Sequence, residues 1–399
     1  MTETAPKKVG ALFAVVLAAI TAIAPLALHM FFPAIPDVQT DFGVDEAVAE
    51  MTLSIPLFVM AFATLVYGSV SDRYGRRPAL LGAMALFIAG SIVSTVADSI
   101  WLLIVGRVLQ AAGGAGGLGL ARTIARDVYG TEKLVKVIAY LTMAYTIGPM
   151  IAAPLGAVLI DLSGWRALVG IAAVIGVVLG VLSWLVLFET HTERGGAGFR
   201  GNPFMDGIRL MSNVRFASYV LQSGFSTGAF FTLASASAFM LTGYLGRPPS
   251  EYGAYFMFYP IGFLLGNFLS SRLSGRIRTE AMVFTGSFIL LLTAATQSTL
   301  IALDHVTPLT IFLPGFFVTC AQGLALPNSQ SGAIIEAGPL AGTGAGIGAF
   351  MQLFAAAFFT QLYGFAADGT PVPMAVVISV CAVLSCSMGT VTLLMRRRD

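Results

Sequence analysis

A few polar side chains in a mostly apolar chain have types and spacings that could do chemistry. His29, within LHMFFPAIP, carries an imidazole whose ordinary pKa of about 6.5 lets it exchange a proton near neutrality. Thr21, Pro25, His29 and Phe32 recur at helical spacing, so the imidazole shares a face with a hydroxyl and an aromatic ring. Arg107 and Gln110, in RVLQAAGG, would present hydrogen-bond donors from one helix turn. Arg122 lies about 22 Å further along such a helix and serves a different depth. Gln222 and Gln352 are amides in apolar runs, and buried amides need partners. Phe32, Phe225 beside Ser226, and Tyr259 beside Pro260 offer stacking surfaces next to polar or backbone groups. Asp72, in GSVSDRYGRRP, and Asp127 are carboxylates beside clustered arginines.

These residues need elements to hold them, and composition says which. Of 399 residues 57% are hydrophobic and 11% charged, which places the chain among polytopic membrane proteins and leaves no long polar segment for an aqueous domain. Segmenting on charges, Pro and Gly predicts twelve helical spans, near 10–35, 50–71, 78–97, 100–124, 134–159, 165–188, 214–243, 252–274, 280–303, 308–327, 340–366 and 372–395. Lys7 and Lys8 precede an uncleaved first span rather than a secretory signal. With the N-terminus inside, 18 of the 22 Lys and Arg residues fall on the cytoplasmic side; Arg166 and Arg247 fall outside, and Arg107 and Arg122 within the fourth span. Acids, including Asp37, Asp41, Glu46 and Glu50, populate the other side, so both termini are expected in the cytoplasm of a cell's inner membrane. On this reading every Asp and Glu lies near a membrane face. The segment 191–213, with HTERGGAGFRGNP, reads as a linker between a bundle at 1–190 and a second at 214–399. GNFLSSRLSGR from Gly266 echoes the Gly68 loop, with different spacing and no Asp, and two similar halves are the architecture of many secondary transporters.

The chain resembles the major facilitator superfamily. Gly68, Asp72, Arg73, Gly75, Arg76 and Arg77 match its signature loop between the second and third helices, Arg107 and Gln110 its fourth-helix motif, and Gly148 with Pro149 the motif associated with exporters, whose flanking glycines are here Ala144, Ala152 and Ala153. LHMFFPAIP, ARTIARDVYG and GTGAGIGAFMQ look like the bicyclomycin and chloramphenicol/florfenicol resistance group of drug:proton antiporters. The resemblance spans the whole chain. It implies an all-α membrane protein of twelve transmembrane helices in two pseudo-symmetric six-helix bundles, and proton-driven efflux of small amphipathic compounds.

It also implies roles. Asp72 would face the N-terminus of the eleventh helix, where Pro339 reads as a first-turn proline, and so latch the cytoplasmic side. Gly68 would let the second helix pack closely, Gly75 would permit a tight reversal, and Arg73, Arg76, Arg122, Gly148 and Pro149 complete the expected gate. One departure stands out. The resistance group has an Asp where this chain has His29, so His29, Asp127 and Asp72 are the candidates for proton coupling. Phe32, Arg107, Gln110, Gln222, Phe225, Ser226, Tyr259 and Gln352 are the candidates for the substrate site between the bundles.

A metabolite carrier without a dedicated proton-carrying carboxylate is the alternative transporter reading. Three scattered His, and Cys320, Cys381 and Cys386 inside apolar runs, suggest neither a metal site nor a disulfide, and no constellation suggests an enzyme. A GxxxxGK[ST] sequence is absent, so energy is expected from an ion gradient. No cofactor and no nucleic acid is expected; the partners are a small-molecule substrate, protons and membrane lipid, around a monomer.

Overall fold

The computed structural model describes residues 11–190 and 203–395, apart from the side chains of residues 11, 130–136, 138, 139, 142, 145–147, 203 and 204. Residues 191–202, most of the expected linker, and both charged termini lie outside that range. The described chain is helical almost throughout: α1 Ala11–Met30, α2 Ile35–Phe42, α3 Glu46–Tyr74, α4 Arg76–Thr95, α5 Ile100–Ser163, α6 Trp165–Val186 and α7 Pro203–Met211. It continues with α8 Val214–Phe239, α9 Pro249–Phe256, α10 Phe258–Leu273, α11 Thr279–Ala302, α12 Pro308–Ala337, α13 Ala341–Ala366 and α14 Val372–Leu394.

Among the described residues nine helical stretches are long and apolar enough to cross a membrane. One of them, Pro308–Ala366, has 59 residues, room for two crossings, and it divides at the short 3-10 turn Gly338–Leu340. The other two expected spans are a shorter apolar helix, Gly148–Ser163, and the pair α9 and α10 separated at Met257. Large apolar side chains such as Trp101, Val105, Trp184 and Phe268 point outward, as a surface in contact with hydrocarbon requires.

Three boundaries differ from the sequence reading. The fourth and fifth spans form one helical run of 64 residues, which would be about 96 Å long if straight. Both of its ends nevertheless lie together. Asp41 accepts from Trp165 and Arg166, just past Ser163, and Arg166 also donates to the Ala97 carbonyl just before Ile100. The chain therefore doubles back inside α5 without dropping helical conformation. The first span breaks after His29 because Pro33 cannot donate to the His29 carbonyl, and a 3-10 turn Phe32–Ala34 leads into α2. The last part of the expected linker is helix: α7 has Pro203 first, Asp206 in its first turn and Arg209 in its last, all favourable to its dipole, and buries Leu210.

Charge distinguishes the two ends of the bundle. Arg73, Arg76, Arg77, Arg126, Arg215 and Arg272 gather at one, the basic end; Asp37, Asp41, Glu46, Glu50, Asp161 and Asp304 lie at the other, the acidic end. Helix α5 packs on α1, α3 and α4, while α8 and α12 organise the later helices. The two groups meet chiefly where α3 runs antiparallel to α13 and where α5 touches α9. The α3–α13 register is read from paired rings: Phe58 with Phe354 at 5.2 Å and Phe62 with Phe350 at 5.1 Å. Tyr363 donates to Glu46 at the acidic end of the same seam.

Candidate functional site

A cavity of about 160 Å³ lies where the two helix groups meet, between α1, α5, α8, α10, α12 and α13. His29 enters it from α1 and is 7% exposed. Its Nδ1–H donates to the Pro25 carbonyl at 2.7 Å, because that oxygen can only accept. In the neutral ring Nε2 then carries the free lone pair, and no described residue bonds it. Phe32, Phe231 and Phe230 surround the imidazole with ring centroids at 5.4, 6.0 and 6.4 Å. No described carboxylate comes within ion-pair distance of it.

Opposite stand amides and phenols. Gln352 on α13 lines the cavity with a buried Nε2 that has no hydrogen-bond partner. Gln322 on α12 reaches Thr227 at 3.4 Å, and the Tyr259 hydroxyl reaches Ser237 at 3.2 Å. Pro149 lines the same cavity from α5, and Gly148 sits against α1, with the Ala22 carbonyl 3.6 Å from where a β-carbon would be. The cavity thus brings together His29, Tyr259, Gln352 and Pro149, with Phe32 just behind His29.

Other candidates lie elsewhere. Arg107 donates to Gln110 Oε1 at 2.5 Å and to the Thr52 carbonyl at 3.3 Å, and its guanidinium lies over the Phe31 ring at 4.1 Å. Gln110 passes the chain on to Ser91 at 2.8 Å. This network borders a separate small void of about 20 Å³ rather than the central cavity. Gln222 ties four helices together, donating to Ser287 at 2.9 Å and Ser385 at 3.3 Å while accepting from Ser329. Phe225 packs edge-on to Phe359, and Ser226 is buried on α8.

At the basic end, Arg76 is the hub of the signature loop. It pairs with Asp72, with Asp127 at 3.1 Å and with Ser71 at 2.5 Å. Glu189 accepts from the backbone N–H groups of Arg76 at 2.9 Å and Arg77 at 3.3 Å, so it caps the start of α4 from just before the expected linker. Gly75 makes the reversal with φ of +99°, open to glycine, and the Glu189 carboxylate fills the space a side chain would need. Gly68, in contrast, has no atom within 4 Å of a β-carbon position, so the close packing expected there is not made in this conformation. Arg73 and Arg122 are exposed, and Arg122 pairs with neither Asp72 nor Asp127. Carried on in steps of four, the α3–α13 register sets Asp72 opposite the turn at Gly338–Leu340, while its hydrogen bond goes to Arg76.

The acidic end is where the two helix groups are stitched. Ser54 donates to Gln361 at 2.5 Å, Gln361 to the Ala47 carbonyl at 3.0 Å, Ser235 to Glu50, and the Ser250 N–H to Asp161 at 3.1 Å. With Tyr363 to Glu46, these bonds join the α1–α6 group to the α8–α14 group at this end. Sequence reading put Glu50 with the acids of an outer loop; it lies inside α3 and is fully buried. Its four-residue offset from Glu46 puts both acids on one face of α3, the face that meets the later helices.

The Major Facilitator Superfamily model matches residues 17–360, so this chain belongs to that superfamily. It is 25% identical over 374 residues to the MFS-type transporter YdgK of Bacillus subtilis, covering 93% of this chain and 92% of that one. It is 23% identical over 382 residues to a bicyclomycin resistance protein homolog of Haemophilus influenzae, covering 94% of each, and 28% identical over 256 residues to multidrug resistance protein D of Escherichia coli, covering 60% and 64%. Among solved structures, the nucleoside transporter NupG superposes with a TM-score of 0.76 at 13% identity, over 96% of this chain and 100% of that one. A bacterial homolog of the lysosomal transporter Spinster, inward-facing and occupied, gives 0.74 at 17% identity over 96% of each. The chain is a membrane transporter with the all-α fold of this superfamily, not an enzyme.

Proposed function

We propose that the protein exports small amphipathic compounds, of the kind its resistance-named relatives suggest, across the inner membrane in exchange for protons. The carrying observation is the central cavity: five aromatic rings, the His29 imidazole, and a buried amide nitrogen without a partner, Gln352 Nε2, gathered where the two helix groups meet. Rings give sequence-tolerant apolar contact, and the two polar atoms orient a ligand. At about 160 Å³ the cavity is smaller than the roughly 300–1,000 Å³ of a drug-sized site, so the halves must part to admit one. The hydrogen bonds that hold the acidic end shut support the basic end as the route of entry. Positive charge at that end supports its lying on the cytoplasmic side. When the basic end closes, Asp72 leaves Arg76 for the N–H groups at the start of α13 and latches it, with Asp127 retaining Arg76. His29 exchanges the proton.

The test is transport into reconstituted vesicles with an imposed proton gradient and a panel of amphipathic antibiotics. Accumulation against the compound's own gradient, abolished by an uncoupler, is the expected result. Movement only down the compound's gradient, indifferent to pH, would instead favour a metabolite facilitator, a reading that the lack of any carboxylate among the residues lining the cavity supports.

A further inference from the structure

Glu50 is 0% exposed, and its surroundings do not suit a charge. Oε1 accepts from the Ser235 hydroxyl of α8, and Oε2 has no hydrogen-bond partner at all. From α13, Gly364 lies so close that a β-carbon there would be 2.9 Å from Glu50 Cβ. Among the described residues no cation pairs with it. On α3 the neighbouring acid is Glu46, held by Tyr363 of α13; on α9 Tyr252 donates to the Ala234 carbonyl at 2.8 Å; Asp368 lies in the loop after α13. On α5 Arg107 is turned to the Thr52 carbonyl and the Phe31 ring. Thr232 and Thr360, one turn from Ser235 and Gly364, also bury hydroxyls without partners. An isolated ionised carboxylate in such a place costs several kcal/mol or more, whereas the neutral acid costs only its unmade hydrogen bond.

We propose that Glu50 is a proton-binding site that locks the acidic end of the bundle. With the end open, α3 parts from α8 and α13 and the carboxylate stands in water. It takes a proton from that solution, forming the Oε2–H bond, and only then do Ser235 and Gly364 close over it. On reopening, the O–H bond breaks, the proton returns to water on the same side and the carboxylate is left solvated. This rests on the alternating opening proposed above, and on neither the cargo nor the exchange of protons for it.

Spin labels at Val96→Cys and Leu303→Cys, both exposed at the acidic end, would report opening as a distance, with the three native cysteines replaced. In the full-length protein without substrate, the ratio of open to closed populations should rise with pH, by up to about tenfold per unit for one proton. Glu50→Gln, which keeps the shape and cannot ionise, should hold the closed distance at every pH; Glu46→Gln should keep the wild-type response. A pH response surviving in Glu50→Gln, or vanishing in Glu46→Gln instead, would overturn the assignment. Two distances with populations independent of pH would overturn the lock while sparing the opening, and a single distance at every pH and in every variant would overturn both.

Discussion

The imidazole of His29 is fixed by the carbonyl of Pro25, one turn earlier on the same helix, at 2.7 Å from Nδ1. A helical carbonyl four residues back is ordinarily shared with a backbone N–H; here it also sets the tautomer, so Nε2 is the atom offered to the cavity. His29→Gln should retain the fold, because the side chain contributes to no salt bridge. It should slow gradient-driven export at neutral pH about tenfold or more, the worth of one well-placed polar contact of about 1.4 kcal/mol. The pH profile of transport in vesicles is the check, and it should flatten.

Gln352 and Gln222 are chemically alike and should fail differently. Gln352 faces the cavity with an unpartnered amide, so Gln352→Ala should raise the apparent KM for an exported compound about tenfold with little change in thermal stability. Gln222 is bonded on both its oxygen and its nitrogen, so Gln222→Ala should cost about 1–3 kcal/mol and lower the unfolding temperature by several degrees, leaving KM unchanged. Paired transport and melting measurements separate the two.

The basic end should respond to both members of the Asp72–Arg76 pair. Arg76→Ala strands Asp127 and Asp72 and should cost about 3 kcal/mol, the low edge for breaking a buried pair because Asp72 is half exposed. Asp72→Asn should cost much less in stability but lose the latch on α13. Cross-linking of cysteines at Ser69 and at Gly342, which has no atom within 4 Å of a β-carbon position, should fall in Asp72→Asn under conditions that close the basic end.

Gly364→Ala puts a methyl 2.9 Å from Glu50 Cβ and 3.3 Å from Ala47 Cα. Overpacking of that kind costs about 1–3 kcal/mol, and here it falls only on the conformation with the acidic end shut. The substitution should shift the population toward the end-open form by at least about fivefold, read by the same pair of labels at Val96 and Leu303.

The apolar runs, the basic loops and the acid-rich opposite side were legible in the chain itself, because the cost of leaving a charge or an unpaired backbone group in hydrocarbon is local and large. The signature loop was legible too: Asp72, Arg73, Gly75 and Arg76 are neighbours in sequence, and a short turn keeps them neighbours in space. What could not be read was which polar side chains meet across helices. Ser235 is 185 residues from Glu50 and Tyr363 is 317 from Glu46, and nothing within either stretch indicates the partner. Gln222 and Gln352 both looked like ligand contacts, and only packing set one into a knot of serines and left the other facing a cavity. A helix decides its own length from its own residues, but the direction each side chain faces is settled by the close packing of neighbours hundreds of residues away. That is why twelve spans could be marked on the sequence while the burial of Glu50, and the proton we assign to it, emerged only from the folded chain.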